Sequence, residues 1–281
     1  MYDILRILPK NHLSALMGAL VHLRLPVLSP WSVSWFVKRF GIDLSEARQN
    51  LAEFRCIGDV FVRELREDAR PIAQEPVSPV DGTLRGHAAV QSGFLEQIKG
   101  KTYPVEKLIG DPAFAPRYQH GYSFNFYLSP PDYHHIHSPL SGTIIRTVHT
   151  PGKLWPVNDW SLSHVEDLFV VNERVTTFID SAFGIVALVM IGATNVGKIS
   201  LSYDNLNTNR VGWLPALRPR TSTVRTYPAG RAISVGAKLG TFHMGSSVLV
   251  LFEESARKKI EGRVRSDLHQ QKMRCGETLL I

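Results

Sequence analysis

The 281-residue chain is 44% hydrophobic and 20% charged, with 21 glycines and 17 prolines, a composition that fits a folded, turn-rich protein and excludes a disordered or fibrous one. A net charge of +7 suits an anionic partner, either nucleic acid or lipid headgroups. The two cysteines, Cys56 and Cys275, lack CxxC spacing, which argues against a disulfide framework and for a reducing compartment.

Residues 1–42 carry five basic side chains (Arg6, Lys10, Arg24, Lys38, Arg39) and one acid, Asp3. Apolar residues between them fall at three- and four-residue spacings, so short amphipathic helices are expected. The apolar stretch Leu13–Val37 is broken by His22, Arg24, Pro26 and Pro30 and reads neither as a membrane span nor as a signal peptide. Trp31 and Trp35 lie about one helical turn apart, as interfacial anchors do. Such helices either lie in a lipid interface or pack on the main core. One or two further short helices are expected over 43–67, capped at Asp43 or Ser45. Arg70 to Pro79 reads as a proline-rich linker. Beyond it, runs of Val, Ile, Thr and Phe alternate with Gly and Pro turns. Strands are expected at Ser123–Leu128, Gly142–Val148, Arg174–Ile179, Gly184–Ile191, Gly197–Tyr203 and Ser247–Phe252. One internal echo links Ser78–Leu84 with Ser138–Ile144; each reads as a proline, a tight turn and an entering strand, from shared turn geometry or from a duplicated β unit.

Chemistry is expected at three places. Asp132-Tyr133-His134-His135-Ile136-His137 lies between Pro130-Pro131 and Pro139, which favours a turn or extended segment over a helix. Its histidines suit acid–base work, a metal, or structural hydrogen bonds. Asp81 stands before Gly82, which by itself is most simply a turn. Met244-Gly245-Ser246-Ser247 precedes an apolar strand. It reads as an ordinary turn or as a reactive peptide bond, since glycine tolerates unusual dihedrals and a hydroxyl can attack the preceding carbonyl if a base is near.

Taken in order, these elements resemble the phosphatidylserine decarboxylase family. The match runs through Phe61-Val62-Arg63, Arg70-Pro71-Ile72, Pro79-Val80-Asp81-Gly82, Tyr127-Leu128-Ser129-Pro130, Asp132-Tyr133-His134, His137-Ser138-Pro139, Pro151-Gly152, Asn172-Glu173-Arg174-Val175, Gly192–Gly197 and Gly240–Ser247. Departures are small: Met244 and Ser247 stand for the usual Leu and Thr of the processing site, and Pro131 and His135 stand where many members have Arg.

The resemblance implies an α+β fold, with a mostly antiparallel β catalytic core at 68–281 and an N-terminal helical membrane-associating segment at 1–67. It implies self-cleavage between Gly245 and Ser246, giving a β chain of 1–245 and an α chain of 246–281. Ser246 would attack the Gly245 carbonyl with His137 as base, oriented by Asp81. Ser246 would end as a pyruvoyl group that decarboxylates phosphatidylserine to phosphatidylethanolamine through a Schiff base. His134 would assist decarboxylation or protonation, while Tyr127 and Ser247 would line the pocket. No metal is called for. The implied partners are phosphatidylserine and an anionic lipid surface, the α and β chains of one precursor, and a homodimer, with no nucleic acid. The implied location is peripheral and monotopic, on the cytoplasmic face of the inner membrane. Three other classes compete. A biotinyl- or lipoyl-type carrier lacks its modifiable lysine motif, a nucleic-acid binder lacks a basic run beside Phe124, Phe126 and Tyr127, and a histidine-ligated hydrolase would need more ligands.

Overall fold

The computed structural model of the chain describes residues 10–26, 28–96, 102–194, 197–209, 221–243, 246–265 and 267–281. Two helices open it, α1 (Lys10–Val21) and α2 (Leu28–Phe40). Pro30 falls in the first turn of α2, where no intrahelical N–H is lost, and Lys38 and Arg39 fall in the last, where cations suit the helix dipole. Gly41, at φ +61°, ends it. Val33 and Phe36 of α2 pack with Ile42, Phe54, Val60 and Phe61 in a small core of their own. The expected helix near Asp43 is absent. Asp43 instead accepts from the Ser45 amide at 2.8 Å in a local turn, and the next α-helix, α3, spans only Ile57–Phe61. Among the described residues no helix is long and apolar enough to cross a membrane.

The body contains β1 (Gly82–Ala89), β2 (Phe94–Glu96), β3 (Thr102–Pro104), β4 (Tyr122–Leu128), β5 (His135–His137), β6 (Gly142–Thr150), β7 (Arg174–Ser181), β8 (Gly184–Gly192), β9 (Ile199–Leu201), β10 (Thr223–Ile233), β11 (Lys238–Phe242), β12 (Ser246–Phe252) and β13 (Lys272–Met273). Eight of these form one antiparallel sheet in the order β10-β6-β7-β8-β12-β4-β1-β13. Three more form the sheet β5-β11-β9. The α+β class therefore holds. β12 lies between β8 and β4, and both of its faces are covered. Val248, Val250 and Phe252 pack with Phe124, Phe126 and Met190, while Leu249 and Leu251 pack with Ile191, Phe178 and Leu108. That double burial explains its uninterrupted apolar run, each such side chain contributing roughly 1.5–3 kcal/mol. The exposed β10, an edge strand carrying Pro228 and a positive-φ Gly230, escapes sequence detection because its residues alternate weakly.

The echo in the sequence is a structural repeat. Ser78 Oγ donates to Val80 O (2.8 Å) and Ser138 Oγ to Leu140 O (2.6 Å), the same turn twice. The two turns bond each other: Val77 N donates to Pro139 O and His137 N to Pro79 O, both at 2.8 Å. Gly276 N meets Ser78 O (3.0 Å) and Gly236 N meets Ser138 O (2.8 Å). The repeat brings His137 beside the loop that carries Asp81.

Candidate active site

Two strand pairs build the site. β4 pairs with β12, with Leu128 opposite Ser246, and β5 pairs with β11, with His135 opposite Thr241. The Phe242 amide donates to His134 O at 2.9 Å. Segment 129–134 therefore links the two sheets, and its ends are held to Ser246 and Phe242, on either side of 244 and 245. This topology puts His134 at the end of the link that meets Phe242. Gly245 and the Ser246 side chain lie outside the described residues.

The 129–134 link is tightly held. Ser129 donates to Asp132 Oδ2 through its amide (2.8 Å) and its hydroxyl (2.6 Å), and Lys272 Nζ lies 2.8 Å from Asp132 Oδ1. Pro131 O accepts from Arg63 Nη2 at 2.7 Å, which ties the link to the segment just after α3. His134 is fully buried, and its ring packs 3.9 Å from the Phe61 ring. Its Nδ1 donates to Asp132 O at 2.8 Å, which leaves Nε2 as the lone-pair nitrogen, and that atom has no partner. Burial pushes its pKa down to about 3, so His134 is a neutral base.

His137 Nδ1 donates to Gly236 O at 2.7 Å, and its Nε2 faces the Tyr133 hydroxyl at 3.2 Å. Burial lowers its pKa, opposed by the charge of Asp81 nearby. The orienting bond expected from Asp81 to His137 is thus replaced. Both ring nitrogens are engaged elsewhere, by a backbone carbonyl that the repeat supplies and by a tyrosine. Asp81 instead binds the Arg70 guanidinium through both oxygens, Nε–Oδ1 at 2.8 Å, and accepts the Cys275 amide at 2.8 Å. In the second copy Ser141 Oγ takes the equivalent Val235 amide at 3.1 Å. Asp81 therefore combines a turn role with a charge that reaches His137 through space. Arg70 also holds Glu46 (2.8 Å), and its pKa is raised, burial being outweighed by the two carboxylates.

Ser247 is buried opposite Tyr127, and its Oγ has no partner. The Arg85 guanidinium lies 4.9 Å over the Tyr127 ring, and burial raises the Tyr127 pKa. Four neighbours were not singled out by sequence reasoning: Phe61, Arg63, Tyr133 and His243. Arg63, Phe61 and Tyr133 stand inside matched motifs, so position alone could have flagged them. His243 bonds Ser200 Oγ through Nε2 at 3.0 Å and Lys198 O through its amide at 2.9 Å, and burial lowers its pKa to about 3. Those contacts fix the chain just before Met244, and only the fold reveals them. His135, one of the departures, stacks on Tyr133 at 4.7 Å and meets Val62 O through Nε2 at 3.0 Å. Among the described residues no three His, Cys, Asp or Glu side chains are grouped to hold a metal ion.

An antiparallel β body with two histidines that burial keeps neutral, His134 and His137, where its two sheets join defines a class of self-contained acid–base site. The family model described as phosphatidylserine decarboxylase matches residues 57–281. A phosphatidylserine decarboxylase proenzyme from Anaeromyxobacter sp. (strain K) is 40% identical, covering 98% of this chain and 95% of that protein. Proenzymes of the same description from Bordetella petrii and Myxococcus xanthus are 37% and 36% identical, covering 87% and 89% of this chain and 85% and 88% of those proteins. The chain belongs to the phosphatidylserine decarboxylase family, and the expected enzyme class, a carboxy-lyase, stands with it.

Proposed function

We propose that the chain is a proenzyme that cuts itself between Gly245 and Ser246 and then decarboxylates phosphatidylserine to phosphatidylethanolamine. The observation that supports this reading is His134, whose Nε2 is buried without a partner in the link held to Phe242, two residues before Met244. Ser246 Oγ attacks the Gly245 carbonyl, converting the amide to an ester, and the proton leaves toward His137. His137 is suited to accept it because burial keeps it unprotonated and Gly236 O fixes its tautomer. Tyr133, bonded to His137 Nε2, is the group nearest to hand for relaying that proton. The proton passes on to the freed amino nitrogen. β-Elimination then breaks the ester, leaving Gly245 as a carboxylate and residue 246 as dehydroalanine at the amino end of the α chain. Water hydrolyses its imine tautomer, releasing ammonia and leaving the pyruvoyl group.

The resulting pyruvoyl group supplies an electrophilic carbonyl and an electron sink. The residues present fit such a group: Ser247 Oγ and His134 Nε2 are buried polar atoms awaiting partners. His134 Nε2 is the buried, partnerless atom that would assist decarboxylation or hand a proton to the α carbon once carbon dioxide has left. Tyr127 and Ser247, side by side across the strand pair, exclude water from the losing carboxylate.

The same reading extends to the membrane. Nine of the fourteen large apolar side chains exposed among the described residues fall within 16–40, led by Trp31 (68% exposed), Leu28 and Leu20. Phe61, in the core that α2 covers, touches the His134 ring. This supports segment 1–67 as a monotopic anchor with the substrate delivered directly to the site, and the cytoplasmic face of the inner membrane is the location the proposal assigns it. A homodimer is part of the proposal. The test is the mass of the denatured chain. Pieces of 245 and 36 residues, the smaller lacking an amino-terminal serine, are expected, and a single uncut chain after incubation with phosphatidylserine vesicles overturns self-cleavage.

A further inference from the structure

A cavity of about 370 Å³ opens on the face of the large sheet that carries Asn125 and Leu249. Arg85, Ser123, Asn125, Glu96, Leu249 and His269 line it. Two of its polar atoms are buried without partners, Arg85 Nε, a donor, and Asn125 Oδ1, an acceptor. A buried polar atom left unpaired is costly, so two of opposite kind in one cavity point to a polar occupant. Their placement is not accidental to the strands. Arg85 stands at a bulge between Leu84 and Gly86, a device that re-aims a side chain, and Asn125 lies opposite Leu249. Ser247, two residues before Leu249 on the same strand face, carries a third partnerless atom, and Tyr127, its cross-strand partner, lies beneath Arg85.

We propose that this cavity binds a small phosphoryl anion that also carries a hydrogen-bond donor, such as the phosphoethanolamine or phosphoserine unit. The Arg85 guanidinium takes the phosphoryl oxygens through Nε and its free edge, since Nη1 is held by Asp159 at 3.0 Å. The ammonium or hydroxyl of the ligand meets Asn125 Oδ1, with the exposed Glu96 carboxylate at the rim. Asp159 is 72% exposed and competes with the ligand for Arg85.

Calorimetry on the full chain tests this with glycerophosphoethanolamine and with inorganic phosphate. The zwitterion is expected to bind more tightly than phosphate. Arg85→Gln weakens both at least tenfold, and Asn125→Ala removes the preference for the zwitterion. Asp159→Asn tightens both several-fold, because it frees the guanidinium; it changes an exposed residue, so it tests the site even if Arg85→Gln does not fold. Absence of binding by either probe at millimolar concentration, or equal affinities in wild type and Asp159→Asn, overturns the proposal. A second arm identifies the source. If the ligand is the lipid headgroup, Arg85→Gln raises KM for phosphatidylserine in mixed micelles with kcat unchanged, and glycerophosphoethanolamine competes. If it is a free phosphomonoester, KM is unchanged while the probe still binds. Only this second arm rests on the proposed decarboxylase activity; the binding arm stands whether or not the chain cuts itself.

Discussion

Three histidines near the junction, His134, His135 and His243, are held at about 3, about 4 and about 3 by burial. Each binds fewer protons folded than unfolded once the pH falls below the ordinary histidine value of about 6.5. Their stabilisation is therefore complete above that value and is lost as pH falls toward 4, by on the order of 1 kcal/mol per pH unit for each histidine. Urea midpoints at pH 7 and pH 5 should show this loss, and His243→Gln should flatten it; an unchanged slope in that variant would sink the account. At the same scale, Tyr133→Phe removes the hydroxyl that meets His137 Nε2. The ring and its stack on His135 remain, so stability should fall by only about 1 kcal/mol. Self-cleavage should slow about tenfold, followed as the fraction cut over time. His134→Ala is expected to leave cleavage largely intact and to lower decarboxylation at least a hundredfold, read from released carbon dioxide per cut chain.

At the scale of elements, the Arg70–Asp81 pair joins the segment after the N-terminal helices to the entry of β1, with each side chain 13% exposed. Removing one partner of so enclosed a pair strands the other charge, and Asp81→Ala is expected to cost about 3 kcal/mol. Asp81→Asn keeps an acceptor for the Cys275 amide and so separates the turn role from the charge. If it cuts itself at the normal rate, the charge at Asp81 has no part in activating His137. The helices α1 and α2 and the turn between them carry most of the exposed large apolar side chains among the described residues, and α2 packs on a core that reaches His134 through Phe61. The double variant Trp31→Ser, Trp35→Ser should sediment far less with anionic vesicles while keeping its activity on detergent-dissolved substrate. Equal sedimentation would place the membrane contact elsewhere.

At the scale of the molecule, the proposed cleavage before β12 would not release a free piece. β12 is bonded on both sides, by β8 and by β4, and its side chains fill the packing on both faces of the sheet. The two chains of the cut protein should therefore co-purify and part only in denaturant, as size exclusion in and out of urea would show. Separation in native buffer would contradict this topology.

Much of this was legible in the residues themselves. The apolar run Val248–Phe252 announces a strand buried on both faces, and the periodicity of 10–40 announces amphipathic helices, because local spacing dictates which side chains share a face. The paired Ser-Pro turns at 78 and 138 announce a shared turn geometry or a duplicated unit, and the order of Asp81, His134, His137 and Ser246 announces the family. What the sequence could not supply was partnership. Asp81 was expected on His137, yet the fold assigns Asp81 to Arg70 and Cys275, and His137 to Gly236 O and Tyr133. Those bonds join residues from 4 to 194 positions apart. The sequence by itself determined which residue types were on hand and on which face each lies. Only the tertiary structure decided which of them meet, and which atoms stay without a partner, because hydrogen bonding and burial depend on the approach of chain segments that carry no mark of one another.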